Sequence, residues 1–336
     1  MSIHVHRPGL LTTIQDSGRY GFQQYGVVVS GPMDTFAHRA GNLLVGNPPG
    51  YAALEMTLLG PVLEFQDAAL IAICGGDFRA HINGSPLPLW RPVYVPAGST
   101  LTVDAPKRGC RGVLAISGGL DVPLVMNSRS TYLRAGLGGL KGRALRAGDV
   151  LPVGARDEAI EPLLTAILKG MDREAQFGTV SWRISETLLP KYEEHPVLRL
   201  LEGPELHWLE EESQSELFSG TFTLQPQSDR MGCRLAGKPL RLGISRELAS
   251  VPVTFGTVQL PPDGHPIVLM ADRQTTGGYP RAGQVITADL PLLAQGKPGC
   301  RVRFQRVTLQ EAQELLLQAE LRLRQLEQSI VLQFRR

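Results

Sequence analysis

The sequence predicts a mainly β protein, a barrel or sandwich rather than a doubly wound parallel sheet, and three observations carry that prediction. Short runs rich in Val, Ile and Leu, at residues 62–65, 69–74, 92–95, 100–103 and 112–116, are separated by turn signals roughly every ten residues. The 37 glycines and 25 prolines that supply those turns are spread along the whole chain, leaving little room for βαβ units. A weak internal echo, TLLGPVLEF at 57–65 against LRLLEGPELHWL at 198–209, points to two related halves, and 336 residues is a two-domain length.

The first strand carries His4 and His6 on one face. Two ligands are too few for a metal, and a solvated strand is the simpler reading. A short helix is expected over residues 33–45, where Met33, Phe36, Ala37, Ala40, Leu43 and Leu44 recur with helical period and Gly46 follows the end. His38 on this helix is expected to face solvent or cap a contact. Strands fill the segment to about residue 155. From 156 to 195 the pattern loosens into charge clusters with one short helix at 162–169, which reads as a linker.

Strand texture resumes at 197–201, 221–224, 252–260 and 300–307. Residues 1–155 and 196–307 are therefore expected to be two β domains. A final helix at 309–329 opens on Thr308 with Glu311 three residues on, a capping box. Its stripe of Ala312, Leu315, Leu316, Ala319, Leu323, Leu326 and Ile330 is expected to pack on the protein's own body within the 308–336 tail.

Composition narrows the function. With 34 basic and 32 acidic residues interspersed, the net charge of +2 offers no electrostatic stripe for nucleic acid. Cys74, Cys110, Cys233 and Cys300 match no metal spacing and read as buried thiols. No signal-peptide pattern or membrane-length apolar stretch is found, so a cytoplasmic location is expected, without a membrane partner. There is no GxxxxGK[ST], no HExxH and no biotin-attachment-like MKM, so any nucleotide or metal would have to be bound in a less recognisable way; no metal ligand is assigned, and the missing P-loop does not exclude ATP.

Chemistry concentrates in DGHPIVLMADRQTTGGYPRAGQ, residues 263–284. An apolar strand at 266–271 empties into Asp272, Arg273, Gln274, Thr275, Thr276, Gly277, Gly278 and Tyr279, with two glycines that let backbone approach a ligand closely. A polar hairpin loop without a ligand is the competing reading. Three further clusters share its character: Gln15, Asp16, Ser17, Gly18 and Arg19; Ser228, Asp229, Arg230, Met231 and Gly232; and Asn127, Ser128, Arg129, Ser130 and Thr131. Each pairs an arginine with hydroxyl, amide or carboxylate groups, which suits a carboxylate or phosphate through charge-assisted hydrogen bonds, although a single such cluster is more often a surface ion pair. His265 stands at the mouth of the 266–271 strand, where a turn histidine is the simpler reading. No nucleophilic triad is legible.

The ordered set QDSGRYGFQQYGV, SGPMD, GNLLVGNP, ALEMTLLGPVLEF, SGGLDVP, SRSTYLRAGLGGLKGRALRAGD, SDRMGCRL and GHPIVLMADRQTTGGYP resembles the biotin-dependent carboxyltransferase family of KipA and allophanate hydrolase subunit 2-type proteins, over residues 9–307. That resemblance implies two cyclophilin-like β-barrel domains. It further implies a subunit of an ATP-dependent 5-oxoprolinase, opening 5-oxo-L-proline with ATP and water to L-glutamate, in a complex with a PxpB- or KipI-like companion and a PxpA-like subunit. ATP, with or without Mg2+, would sit on this chain or its companion.

In that setting Arg230 and Arg273 are assigned to anionic groups and Asp272 to proton handling, these three forming the catalytic set. Gln274, Thr275 and Thr276 take the amide edge of the substrate, with Ser228 nearby. Gly277 and Gly278 allow backbone approach, and Tyr279 walls the pocket. Gln15, Asp16, Arg19, Asp34, Ser128 and Arg129 belong to the same site or to a subunit interface. Two other readings stand beside this one: a regulatory KipA-like protein that sequesters a KipI-like partner, and a biotin-dependent carboxyltransferase module acting on a urea-like amide.

Overall fold

The computed structural model describes residues 1–244 and 246–334. It is mainly β, with five α-helices, and it divides into two compact units. The first comprises residues 1–19, 34–190 and the chain from Arg322; the second comprises residues 20–33 and 191–321. Among the described residues no helix is long and apolar enough to cross a membrane.

The first unit holds strands β1 (Ser2–Arg7), β2 (Leu11–Gln15), β3 (Ala53–Thr57), β4 (Val62–Phe65), β5 (Ala69–Gly75) and β6 (Phe78–Ile82). It continues with β7 (Ser85–Pro86), β8 (Val93–Val95), β9 (Thr100–Pro106), β10 (Arg111–Ile116), β11 (Val150–Pro152) and β12 (Gly178–Thr179). These form two six-stranded sheets, in the orders β11-β1-β4-β9-β6-β7 and β12-β8-β5-β10-β3-β2. Alternation decides the packing. Ile3, Val5, Leu63, Phe65, Leu101 and Val103 from the first sheet share one core with Ile14, Leu54, Met56, Ile73 and Leu114 from the other.

Strands β5 and β10 read as unbroken apolar runs because both their faces are covered. Ala72, Cys74, Val113 and Ala115, on the face turned from the first core, pack against helix α1 (Thr35–Leu44), helix α2 (Glu161–Lys169) and the last turns of the C-terminal helix. Gly41 lets α1 approach closely, since a Cβ there would stand 3.3 Å from that of Ala115. Asp34 caps α1, its Oδ1 accepting the Ala37 N–H at 2.9 Å, a bond worth about 1 kcal/mol.

The second unit contains β13 (Val197–Glu202), β14 (Phe222–Leu224), β15 (Gly232–Ala236), β16 (Val251–Pro252), β17 (Thr257–Gln259), β18 (Ile267–Leu269), β19 (Thr276–Gly277), β20 (Arg281–Val285) and β21 (Arg301–Arg306). Seven of them close into a barrel in the order β13-β20-β17-β18-β15-β14-β21, leaving β16 and β19 as a separate two-stranded ribbon. The barrel core is Leu198, Leu200, Phe222, Leu224, Leu235, Val258, Val268, Val302 and Phe304 with their neighbours. Helices α3 (Glu211–Ser219) and α4 (Leu290–Ala294) complete the unit, and α5 (Leu309–Phe334) contains the boundary between the two units.

Four expectations change. Residues 156–190 are not a linker: Leu163, Leu164 and Ile167 of α2, with Val180 and Ile184, are buried in the first unit's outer core, anchored there by apolar side chains that the surrounding charges obscure in the sequence. Residues 20–33 leave the first unit and join the second. The strand expected over 252–260 splits into β16 and β17 around a turn at Gly256, whose φ of 91° takes it out of the extended region. The internal echo joins unlike elements, a strand-to-strand connection in one unit and β13 followed by a short 3-10 turn in the other.

The capping box forms as expected, the Thr308 N–H donating to Glu311 Oε2 at 2.7 Å and the Glu311 N–H to Thr308 Oγ1 at 3.2 Å. The stripe on α5 is buried at its ends, Ala312 in the second unit and Leu323, Leu326 and Ile330 in the first, while Leu316 between them is exposed. All four cysteines are buried thiols, as expected.

Candidate functional site

Strand β18 ends at Leu269 in the barrel wall, and the chain then makes a turn at Ala271 and Asp272, both still buried. That turn is held by backbone bonds to the loop between β14 and β15: Met270 N–H donates to Met231 O and Asp272 N–H to Arg230 O, both at 2.8 Å. Side chains reinforce them. Arg230 grips Asp272 through Nε to Oδ2 at 2.9 Å and Nη2 to Oδ1 at 3.0 Å, and Nη2 also reaches the carbonyl of Gly31 at 2.6 Å.

Both members of this pair are buried, so the guanidinium and carboxylate compensate each other out of water. The sequence suggests proton handling for Asp272 and an anion for Arg230. Instead each occupies the other in a two-pronged bond that ties three segments together. Ser228 is likewise a turn residue, its Oγ accepting the Arg234 N–H at 3.0 Å, and Asp229 Oδ1 accepts the N–H groups of Met231 and Gly232.

The residues beyond Asp272 behave differently. Arg273 is largely buried, its Nη1 makes only a long contact of 3.4 Å to Met270 O, and its Nε has no hydrogen-bond partner among the described residues. Its guanidinium stands 5.8 Å from the centre of the Phe255 ring. Burial pulls it below the ordinary arginine value, and the nearby Tyr20 and Asp272 offset this only partly. Gln274 reaches Gln259 Oε1 with Nε2 at 3.5 Å. The Thr275 carbonyl accepts the Val253 N–H, and Thr276 and Gly277 pair with Pro252 and Val251 in the ribbon. Gly278 and Tyr279, which follow β19, are exposed.

Two residues of this region escape a reading of the sequence. Gln259 is 2% exposed, and its Nε2 has no hydrogen-bond partner among the described residues. Ser30, in the strap that Arg230 holds through Gly31, has a buried Oγ without such a partner and a φ of 58°, unusual for a serine. The signals are slight: a lone polar residue in the apolar VPVTFGTVQL, and the turn-forming Ser-Gly-Pro. His265 is the turn histidine expected, its N–H bonded to Asp263 Oδ1 at 3.0 Å.

The other candidates gather in the first unit and are spent on architecture. Asp16 accepts from Ser128 Oγ and Ser130 Oγ at 2.6 Å, from the Arg129 N–H at 2.5 Å and from the Gly18 N–H at 3.0 Å. Burial pushes its carboxyl up, but these donors together outweigh that and hold it below the usual carboxylate range. Arg19 is fully buried and donates to the carbonyls of Val125 at 2.9 Å and Ser130 at 2.8 Å. Gln15 donates to Thr13 Oγ1 and to Thr131 O.

Arg129 donates to Val122 O and pairs with Asp121, and Asp34 is the helix cap already described. His38 is buried rather than exposed, its Nε2 donating to Gln15 O at 3.1 Å, and burial lowers its pKa. Among the described residues no group of three or more His, Cys, Asp or Glu is placed to hold a metal ion.

Comparison with known proteins supplies the family. The family model for the carboxyltransferase domain, subdomain A and B, matches residues 25–306. The chain is 39% identical over 312 residues to the C subunit of 5-oxoprolinase from Escherichia coli K12, covering 92% of this chain and 93% of that one. It is 38% identical over 314 residues to the C subunit of 5-oxoprolinase from Haemophilus influenzae, covering 94% of each. The crystal structure of the Kluyveromyces lactis urea amidolyase, 28% identical, superposes with a TM-score of 0.86 over 97% of this chain and 20% of that much longer one. The chain therefore belongs to the carboxyltransferase domain family.

Proposed function

We propose that this chain is a subunit of an ATP-dependent 5-oxoprolinase that opens 5-oxo-L-proline to L-glutamate. The observation that carries the reading is its similarity to the C subunit of 5-oxoprolinase along nearly the whole of both chains. The companions are proposed to be a PxpB- or KipI-like subunit and a PxpA-like subunit.

The chemistry suits the loop after β18. A five-membered lactam is stabilised by amide resonance and does not open readily in water. Its two recognisable ends are a carboxylate and a neutral carbonyl. Arg273 supplies a charged, partly desolvated donor for the carboxylate, and such a donor is worth more there than in bulk water. Gln274, Thr275 and Thr276 lie along the same segment for the amide edge, with Gly277 and Gly278 keeping the backbone approachable and Tyr279 at the rim. The Arg230–Asp272 pair sets the base of this loop and acts as a positioning device.

The loop does not fit Mg2+ and a nucleotide triphosphate, because its buried carboxylate is already taken by Arg230. ATP is accordingly proposed elsewhere on this chain or on a companion, and it supplies activation of the lactam oxygen. This chain's residues bind and orient the lactam and exclude water from its charged end.

The test is co-expression with the two companions and assay of glutamate released from 5-oxo-L-proline with and without ATP. ATP-dependent release supports the reading; its absence from an assembled complex overturns it. The close superposition on a urea amidolyase favours one alternative, a carboxyltransferase module acting with biotin on a urea-like amide, and carboxylation of urea by the same complex with a biotinylated carrier would support it instead.

A further inference from the structure

Gln259 and Gln284 stand on paired strands of the barrel wall and are used in opposite ways. Gln284 Oε1 accepts from Thr254 Oγ1 and Thr257 Oγ1 at 2.9 Å, and its Nε2 donates to Phe255 O at 2.7 Å and Val285 O at 3.1 Å. Its carboxamide is complete, and it is a structural residue. Gln259 is buried, yet its Oε1 has only the long contact to Gln274 and its Nε2 has no partner among the described residues. A buried amide donor left this way costs about 1–3 kcal/mol, which a protein does not retain without return.

Local geometry explains how the carboxamide is presented. Val258 points into the barrel core, so Gln259 beside it points to the outer face, under the loop. The pairing of β17 with β20 shifts register between Val258 and Gln259, a bulge that re-aims the side chain. Above it lies Gly277. A Cβ on Gly277 would overlap Gln259 Nε2 and stand 3.3 Å from Cδ and 3.4 Å from Oε1. The φ of Gly277 lies outside the left-handed region, so its glycine is needed for this close approach and not for the backbone. The carboxamide thus meets the same segment that carries Arg273 and Gln274.

We infer that Gln259, through Nε2, is the donor that recognises the lactam carbonyl oxygen, and that Gly277 is a glycine so that this carboxamide can reach the ligand. The inference rests on the 5-oxoproline reading above. It assigns the neutral donor to the neutral end of the substrate, leaving Arg273 the charged end.

The experiment uses the co-expressed complex with 5-oxo-L-proline at saturating ATP, comparing wild type with Gln259→Met, Gly277→Ala and the double variant. Methionine keeps the length of the side chain and removes both polar groups, so the thermal midpoint should hold or rise. KM for 5-oxo-L-proline should rise by about tenfold or more, the consequence of a lost donor. Gly277→Ala, whose Cβ displaces only the flexible end of Gln259, should raise KM similarly, and the double variant should be little worse than Gln259→Met alone.

A wild-type KM in Gln259→Met, or a lowered midpoint with unchanged KM, would show a structural glutamine and overturn the inference while the 5-oxoproline reading stands. Turnover lacking in the wild-type complex rejects that reading, and this inference with it.

Discussion

The Asp16–Arg19 constellation of the first unit and the Asp272–Tyr279 loop of the barrel unit are alike in sequence and differ in what their buried groups touch. Both set an aspartate near an arginine among glycines, hydroxyls and amides. Around Asp16, hydroxyls and backbone N–H groups converge on the carboxylate from loops more than a hundred residues away, and Arg19 answers carbonyls equally remote. Around the loop after β18, Arg230 and Asp272 satisfy each other, but Arg273 Nε and Gln259 Nε2 have no hydrogen-bond partner among the described residues. A carboxylate answered by four donors of its own unit, as Asp16 is, belongs to the architecture. A loop in which Gln259 and Arg273 hold buried donors in reserve is where a ligand belongs.

The sharpest way to break this comparison is the buried ion pair. Replacing Arg230 or Asp272 singly with alanine leaves its partner as an uncompensated buried charge and should cost about 3–5 kcal/mol, read by denaturant unfolding of the complex. The loss of activity in such variants would then follow from a displaced loop. A wild-type unfolding midpoint with lost turnover would return Asp272 to a direct chemical role.

Next in size is Arg273→Met, expected to lower kcat/KM for 5-oxo-L-proline by about a hundredfold through loss of a charged hydrogen bond, with the unfolding midpoint nearly unchanged. On the other side of the comparison, Asp16→Asn should cost about 1–3 kcal/mol of stability and leave KM untouched, because it disturbs donors and not a ligand.

The smallest effect concerns pH. The folded state lowers the pKa of both Asp16 and His38, so each contributes stability that is complete above its unfolded value and is lost as pH falls through the folded one. For His38 the loss begins below about 6.5, and for Asp16 below about 3.9. Thermal midpoints across this range should decline from mildly acidic pH, and His38→Gln should flatten the first part of the decline. A midpoint that rises as the solution is acidified from neutral pH would contradict the buried neutral imidazole.

What can be read in advance follows the range of the interactions. Strands β4, β5, β9 and β10, helix α1 and the Thr308–Glu311 cap are local patterns, and the structure has them close to where periodicity puts them. The loop after β18 is legible because an apolar strand empties into polar residues and glycines. The role of Arg19 is not, since its partners Val125 and Ser130 are backbone carbonyls that carry no residue signature. Gln259 stays hidden for the opposite reason: a single polar residue in an apolar strand says nothing until Gly277 is seen above it. Helix α2 passes for part of a linker because its buried leucines are flanked by charges that face water.

Protection by substrate tests the contrast most directly. In the assembled complex, 5-oxo-L-proline should raise the thermal midpoint of wild type and of Asp16→Asn by the same increment, each from its own baseline, and should leave Arg273→Met unmoved. Protection that survives in Arg273→Met and disappears in Asp16→Asn would contradict it.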